Sequence, residues 1–74
     1  MIIIGERLKQ LRKEKNVTQK AVAIHLGVAE TTYQQFEYGS YRPGLPKLIA
    51  LADYFNVSLD YLVGRSSNPT PPAP

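Results

Sequence analysis

The chain has no cysteine and no tryptophan, and one histidine and one methionine in 74 residues. Without cysteine, neither a disulfide nor a thiolate zinc site can support the fold. A reducing, cytoplasmic setting is therefore the expectation. The lone histidine, His25, offers little for a catalytic triad and no set of metal ligands. No apolar run approaches the ~18 residues of a membrane span, so no membrane association is expected. The opening Met1-Ile2-Ile3-Ile4 is too short for a signal peptide, and no basic stretch precedes it. Asp53 and Asp60 fall on different predicted helices and read as a surface residue and a first-turn acid suited to the helix dipole. No nucleophile, base and orienter come together, so the chain is not expected to be an enzyme, and no cofactor or metal is implied.

What is present suffices for one small domain. Hydrophobic residues make up 43% of the chain, and at this size roughly 60% of the unfolded surface is buried on folding. Stability should be modest. The formal net charge is +3, which permits a polyanionic partner without requiring one. Its distribution is more informative. Arg7, Lys9, Arg12, Lys13, Lys15 and Lys20 crowd the first part of the chain, whereas Ala21 to Tyr41 holds no Lys or Arg and two acids, Glu30 and Glu37. The basic run reads either as a solvated helix face or as a phosphate-facing rim.

The pattern predicts five short helices and no strand. Ile4, Leu8 and Leu11 share one face of a helix from Gly5 to Lys15, and Asn16 stops it. Thr18 caps a second helix with Val22, Ala23 and Leu26 inward, ended by Gly27, and Val28 is buried in the turn. A third helix runs from Ala29 or Glu30 to Tyr38, with Tyr33 and Phe36 inward, and Gly39 ends it. Ser40-Tyr41-Arg42-Pro43-Gly44 is loop chemistry. Pro46 opens a fourth helix whose stripe is Leu45, Leu48, Ile49, Ala52 and Phe55, stopped by Asn56. Ser58 caps a fifth carrying Leu59 and Leu62, which stops at Gly64. The tail 66–74 holds four prolines among its last six residues and is expected to stay outside the core as an extended tail or linker. The domain organisation is thus a folded unit over 1–65 and a Pro-rich tail over 66–74, in an all-α fold class.

The informative unit is Gln19 to Phe36. Ala23 is small enough to let two helices cross closely. Gly27 supplies the left-handed turn, and Val28, Tyr33 and Phe36 pin the second helix of the pair. Together they describe a helix-turn-helix, whose second helix can enter a DNA major groove.

Several stretches then carry a resemblance: Arg7-Leu8-Lys9-Gln10-Leu11-Arg12, Val17-Thr18-Gln19, Leu26-Gly27-Val28, Phe36-Glu37-Tyr38-Gly39 and Leu51 to Leu62. They resemble the lambda-repressor-like DNA-binding domains of the Cro/cI type, the XRE family, over about Ile4 to Arg65. The resemblance implies a compact five-helix bundle and a sequence-specific double-stranded DNA-binding regulator, acting as a repressor of a prokaryote or phage at the nucleoid. Ala29, Glu30, Thr31 and Gln35 match base-facing positions. Arg12, Thr18 and Gln19 match backbone-contacting positions, and Gln19 also braces the recognition helix. Thr32 and Gln34 lie beside the sugar-phosphate chain, and Ser40, Tyr41 and Arg42 fall in a loop along the phosphates. Glu37 matches a structural acid paired with a base such as Arg12.

The chemistry fits in part. Gln35 suits a bidentate contact to adenine, Thr31 a thymine methyl or base edge, and Glu30 cytosine N4. The departures are specific to this chain. The third helix has no Lys or Arg. Glu30 is repulsive near phosphates unless it meets a cytosine or a cation. Ala29 replaces the usual Ser or Thr cap. Tyr33 stands where Ile or Val is usual, so either the third helix is displaced or the ring is partly exposed, because a buried hydroxyl needs a partner.

One copy buries too little surface for tight specific binding, so a homodimer is expected, meeting through Leu59, Leu62 and Val63. Ile2 and Ile3 either cover the core edge or pair across that dimer. The rival reading is a protein-interaction module of the same fold, gripping a partner with Ile24, Tyr33, Tyr38 and the acidic helix. His25 and Ile24 read as surface residues, and Tyr38, Tyr41 and Tyr54 as half-buried packing rather than base-stacking platforms. The tail could lead to a missing C-terminal domain or serve as a ligand for an aromatic groove.

Overall fold

The helices stop at residues whose backbone chemistry stops a helix. Asn16 and Asn56 adopt left-handed conformations with φ of 59° and 54°, as do Gly27 and Gly39 at 73° and 83°. Each turns the chain at a C-terminus, where side chains with a Cβ pay a steric cost that Asn tolerates and Gly avoids. The structure is a computed structural model that describes residues 4–71. Over these the chain forms α1 (Ile4–Lys15), α2 (Gln19–Leu26), α3 (Glu30–Tyr38), α4 (Leu45–Phe55) and α5 (Leu59–Leu62), with no strand among the described residues. The dimer-arm reading of Ile2 and Ile3, and the last prolines of the tail, lie outside the described residues.

Thr18 and Ser58 are side-chain caps. Thr18 Oγ1 accepts from the Ala21 amide at 3.0 Å, and Ser58 Oγ accepts from the Tyr61 amide at 3.0 Å. Ala29, at the start of α3, makes no such bond. Pro46 sits in the first turn of α4, where its missing amide hydrogen has no helical partner to lose.

The core is built around Leu8, Val22, Tyr33, Leu51 and Leu62, all fully buried. α3 lies mainly against α1 and α2, while α4 contacts α5, α1 and α2. Gly5 belongs to this packing. A Cβ placed there would collide with the carbonyls of Phe36 and Glu37, so the first turn of α1 rests directly on the last turn of α3. Arg7 places its guanidinium 3.6 Å from the centre of the Tyr61 ring, joining α1 to α5.

Several expectations are corrected. In α4, Leu45 and Ile49 are exposed, and the fully buried residue is Leu51. The helix is apolar around much of its circumference, so its own sequence does not select the stripe, and contact with α5, α1 and α2 does. The Tyr33 ring is not partly exposed; it is wholly buried. Tyr38 and Tyr41 are exposed rather than half-buried, whereas Tyr54 is half-buried, with the exposed His25 ring 4.5 Å away. Val28 is half-buried. Leu62 is fully buried, so it cannot meet a second copy. In so short a helix its side chain faces the core, and Leu59 and Val63 remain half-buried. The tail lies outside the core but is tied to the start of α5: Pro69 O accepts from the Ser58 amide at 2.9 Å.

Candidate nucleic-acid interface

Two helices and a tight turn form the centre of the candidate site. Ala23 is 1% exposed, and the Val28 amide donates to its carbonyl at 3.1 Å. The Gly27 amide closes back on Ile24 O at 3.1 Å. Lys47 of α4 donates to Leu26 O at 2.8 Å, satisfying a carbonyl that the end of α2 leaves without a helical partner. The turn is therefore held from inside by α4 as well as by its own backbone.

The inner wall of α3 carries a part-buried polar network centred on the buried Glu37. Glu37 accepts from Arg12 Nε at 2.7 Å and Nη2 at 3.3 Å, and from Gln19 Nε2 at 3.1 Å. Gln19 Oε1 in turn accepts from Gln34 Nε2 at 3.2 Å, and Arg12 Nη1 reaches Val17 O at 3.3 Å. One carboxylate thus ties α1 and α2 to α3, and one glutamine bridges the helix pair. Burial pushes the Glu37 carboxyl up, but hydrogen bonds from Arg12 and Gln19, with the Tyr33 hydroxyl nearby, outweigh it and hold it below the ordinary carboxylate range. The Arg12 guanidinium is held more firmly charged, chiefly by its hydrogen bond to Glu37.

Tyr33 is the exception to this satisfaction. Its hydroxyl lies within the electrostatic reach of Glu37. Among the described residues it nevertheless has no hydrogen-bond partner of good geometry. Burial, and then the neighbouring carboxylate, push its phenol well above the ordinary range. Its ring meets Phe36 edge to face at 6.3 Å.

The outer wall is different. Ala29, Glu30, Thr31 and Gln35 are exposed, and Thr32 and Gln34 are half-buried beside them. Ser40, Tyr41 and Arg42 are exposed in the loop after α3. Thr18 is exposed with its hydroxyl committed to the cap. Arg12 and Gln19 are half-buried, turned toward Glu37. The structure thus leaves the four base-facing candidates and the loop exposed, and places Arg12 within the network around Glu37. Sequence reasoning assigned Tyr38 to packing, or to a protein-interaction surface; it is exposed, at helical spacing from Thr31 and Gln35. Sequence reasoning left out Gly5 and Lys47. Tyr33, part of the protein-interaction reading, is removed from any surface by its burial. Among the described residues, no helix is long and apolar enough to cross a membrane.

A family profile described as helix-turn-helix matches residues 8–62. Over 66 residues the chain is 39% identical to the uncharacterized HTH-type transcriptional regulator YobD of Bacillus subtilis (strain 168), covering 89% of this chain and 59% of that protein. Over 60 residues it is 45% identical to the HTH-type transcriptional regulator AnsR of the same organism, covering 81% and 52% respectively. The chain spans little more than half the length of these curated relatives. Among solved structures it is similar to the P22 c2 repressor protein in complex with synthetic operator 9T, with a TM-score of 0.82 at 29% identity, over 89% of this chain and 100% of that one. The five-helix architecture, the matched profile and these likenesses make the chain a member of the helix-turn-helix family, of the lambda-repressor-like Cro/cI type.

Proposed function

We propose that the chain is a sequence-specific double-stranded DNA-binding module of a transcriptional regulator, acting as a repressor by occupying its site. The observation that carries this reading is the division of α3. Its inner wall is buried and hydrogen-bonded, while Glu30, Thr31 and Gln35 stand exposed with no role in the core. The P22 c2 repressor, to which the fold is similar, binds an operator.

In this reading α3 enters the major groove. Gln35 takes adenine by two hydrogen bonds, Thr31 a thymine methyl or base edge, and Glu30 the amino group of cytosine. Ser40, Tyr41 and Arg42 lie along the phosphates, with Thr18, Gln19, Thr32 and Gln34 at the rim. The role of Arg12 is to hold Glu37, and through it the angle of α3, rather than to make a simple phosphate contact. Two copies, meeting near the half-buried Leu59 and Val63, would read half-sites about 34–36 Å apart.

The test is selection from a randomised duplex pool, followed by sequencing, with Gln35→Ala beside the wild type. Enrichment of a two-fold symmetric site, relaxed at one base by Gln35→Ala, supports the reading. A folded protein that enriches no site overturns it. The rival, a protein-interaction module, keeps the exposed Ile24 and Tyr38 and loses the buried Tyr33. It requires early elution from heparin with little dependence on salt, opposite to what DNA binding requires.

A further inference from the structure

α5 is a single turn, and the chain comes back along it. Gly64, left-handed at φ 84°, reverses the direction, and the Arg65 and Ser66 amides both close on Asp60 O, at 2.8 and 3.3 Å. From there 66–70 returns to the start of the helix. The four residues of α5 rise only about 6 Å, a distance that a few extended residues span. At the far end the Ser58 amide donates to Pro69 O at 2.9 Å, and Ser58 Oγ donates to Asn68 O at 3.4 Å. A cap residue often has its own amide served by Glu or Gln three residues on. Here that place is held by Tyr61, whose side chain is buried, and the returning chain serves instead.

The segment is shaped before it docks. The Asn68 amide donates to Ser66 Oγ at 3.0 Å, and the Thr70 amide donates to Asn68 Oδ1 at 3.1 Å. Pro69 fixes its own φ and keeps Asn68 extended. Docking then has less freedom to remove. Yet the segment buries little: Ser66 is half-buried, and Asn68, Pro69 and Thr70 are exposed. The Arg65–Asp60 pair beside it, at 4.0 Å and open to solvent, adds little. A few hydrogen bonds hold the segment, so its release is a local event well within thermal reach.

What the segment stands beside gives it a role. Ser66, Asn68 and Thr70 form one side of a hollow of about 350 Å³, and Ser58, Leu59 and Asp60 form the other. The part of the half-buried Leu59 that the core leaves uncovered opens onto this hollow. Leu59 is also where the second copy sits in the dimer reading, on which this inference rests. We propose that 66–70 is an autoinhibitory strap. It competes with a second copy for Leu59, so the domain dimerises only when the strap lifts. If each copy holds its strap docked about ten to one, both must lift, and dimer affinity falls by about a hundredfold. The coupling is reciprocal, so dimerisation must also free the strap.

The experiment compares the full wild-type chain with Ser66→Ala/Asn68→Gly, which removes both internal bonds and loosens the backbone before Pro69. Sedimentation equilibrium reads the dimer constant, and ¹⁵N relaxation reads the mobility of the Thr70 amide. In the double variant Thr70 should become mobile, and dimerisation should strengthen by about ten- to a hundredfold. Raising the wild-type concentration through its dimer constant should free Thr70 in step. Leu59→Glu, in a first turn where an acid suits the helix, should abolish dimerisation of both proteins. Thermal melts check that each variant is folded, and Leu59→Ala replaces Leu59→Glu if the latter is not.

Equal Thr70 mobility in the wild type and the double variant overturns the proposal, because the strap is then not held as described. A freed strap with an unchanged dimer constant overturns it, as does a strengthened dimer that survives the Leu59 substitution. A wild-type dimer whose strap stays ordered overturns it too. If neither protein associates at any concentration, the dimer reading fails and this inference with it. A wild-type dimer broken by Leu59→Glu, yet indifferent to loosening of the strap, defeats the inference alone.

Discussion

The two walls of α3 are made under opposite rules. On the inner wall, Tyr33, Phe36 and Glu37 are buried, and each change there alters packing or leaves a polar group unpaired. On the outer wall, Glu30, Thr31, Gln35 and Tyr38 are exposed, and the fold makes almost no demand on them. Nine residues thus contain both a rigid mount and an unconstrained reading surface. The difference teaches where a small domain can vary its target: side chains on the outside change freely while the inner network keeps their geometry.

The sharpest way to break this comparison is a paired truncation. Phe36→Ala should cost about 3–5 kcal/mol by opening a cavity, enough to unfold much of so small a domain. Its neighbour Gln35→Ala should stay within about 0.5 kcal/mol of wild type in stability, yet lose about 1–3 kcal/mol of discrimination at one base pair. Denaturant melts and duplex titrations of the two variants check this, and equal stability losses would erase the distinction between the walls.

Glu37→Gln comes next. It leaves Arg12 without its carboxylate, and breaking a buried pair is strongly unfavourable. Arg12 retains a solvent-facing edge, with its side chain 15% exposed, so the expected loss is reduced to about 2–3 kcal/mol. The same residue sets an acid limit. Its folded carboxyl lies below the ordinary value of 4.5, so its stabilisation is present above that value and is lost as pH falls through the depressed one. Melting temperature should therefore drop on acidification below the ordinary range, and Glu37→Gln should show a smaller drop between the same pH values.

Gly5→Ala tests the mount from its other side. The added methyl meets the Phe36 and Glu37 carbonyls, and overpacking of this kind costs about 1–3 kcal/mol. Thermal unfolding checks it.

The smallest effect expected is the most diagnostic. Tyr33→Phe removes a hydroxyl with no well-formed partner, so stability at neutral pH should be unchanged or higher by up to about 1 kcal/mol. At high pH the sign sharpens. The folded state holds the Tyr33 proton more tightly than the unfolded chain, so stability is lost as pH rises past the ordinary phenol value of 10.0. Tyr33→Phe should lessen that alkaline loss.

Much of the fold was legible because it is written in single residues. Thr18, Ser58, Gly27, Gly39, Asn16 and Asn56 each act locally, through a cap or a left-handed turn, and each does so where the sequence placed it. The pairing of Arg12 with Glu37 was legible through the family resemblance alone, since the two residues are distant in the chain. What escaped depended on tertiary fit. α4 offers Leu45, Leu48, Ile49 and Leu51 with little polar contrast, and only its neighbours choose Leu51 for the core. Burial of Tyr33 contradicts its hydroxyl, and the ring packing against Phe36 wins. Gly5 reads as an ordinary helix start until the α3 carbonyls are seen above it. The exposed candidates on α3 were visible as a periodic face, but Tyr38 was assigned to packing because aromatic residues usually pack.

The Arg7 guanidinium on the Tyr61 ring has a consequence for synthesis. The contact joins the first helix to the last, so a chain emerging N-terminus first makes α1 long before the surface that receives it exists. The basic helix finds its main partner, α3, midway through the domain, and gains α5 only when nearly the whole domain is made. A nascent chain halted before α5 therefore has the α3 partner of α1 in place but leaves α1 without one of its neighbours.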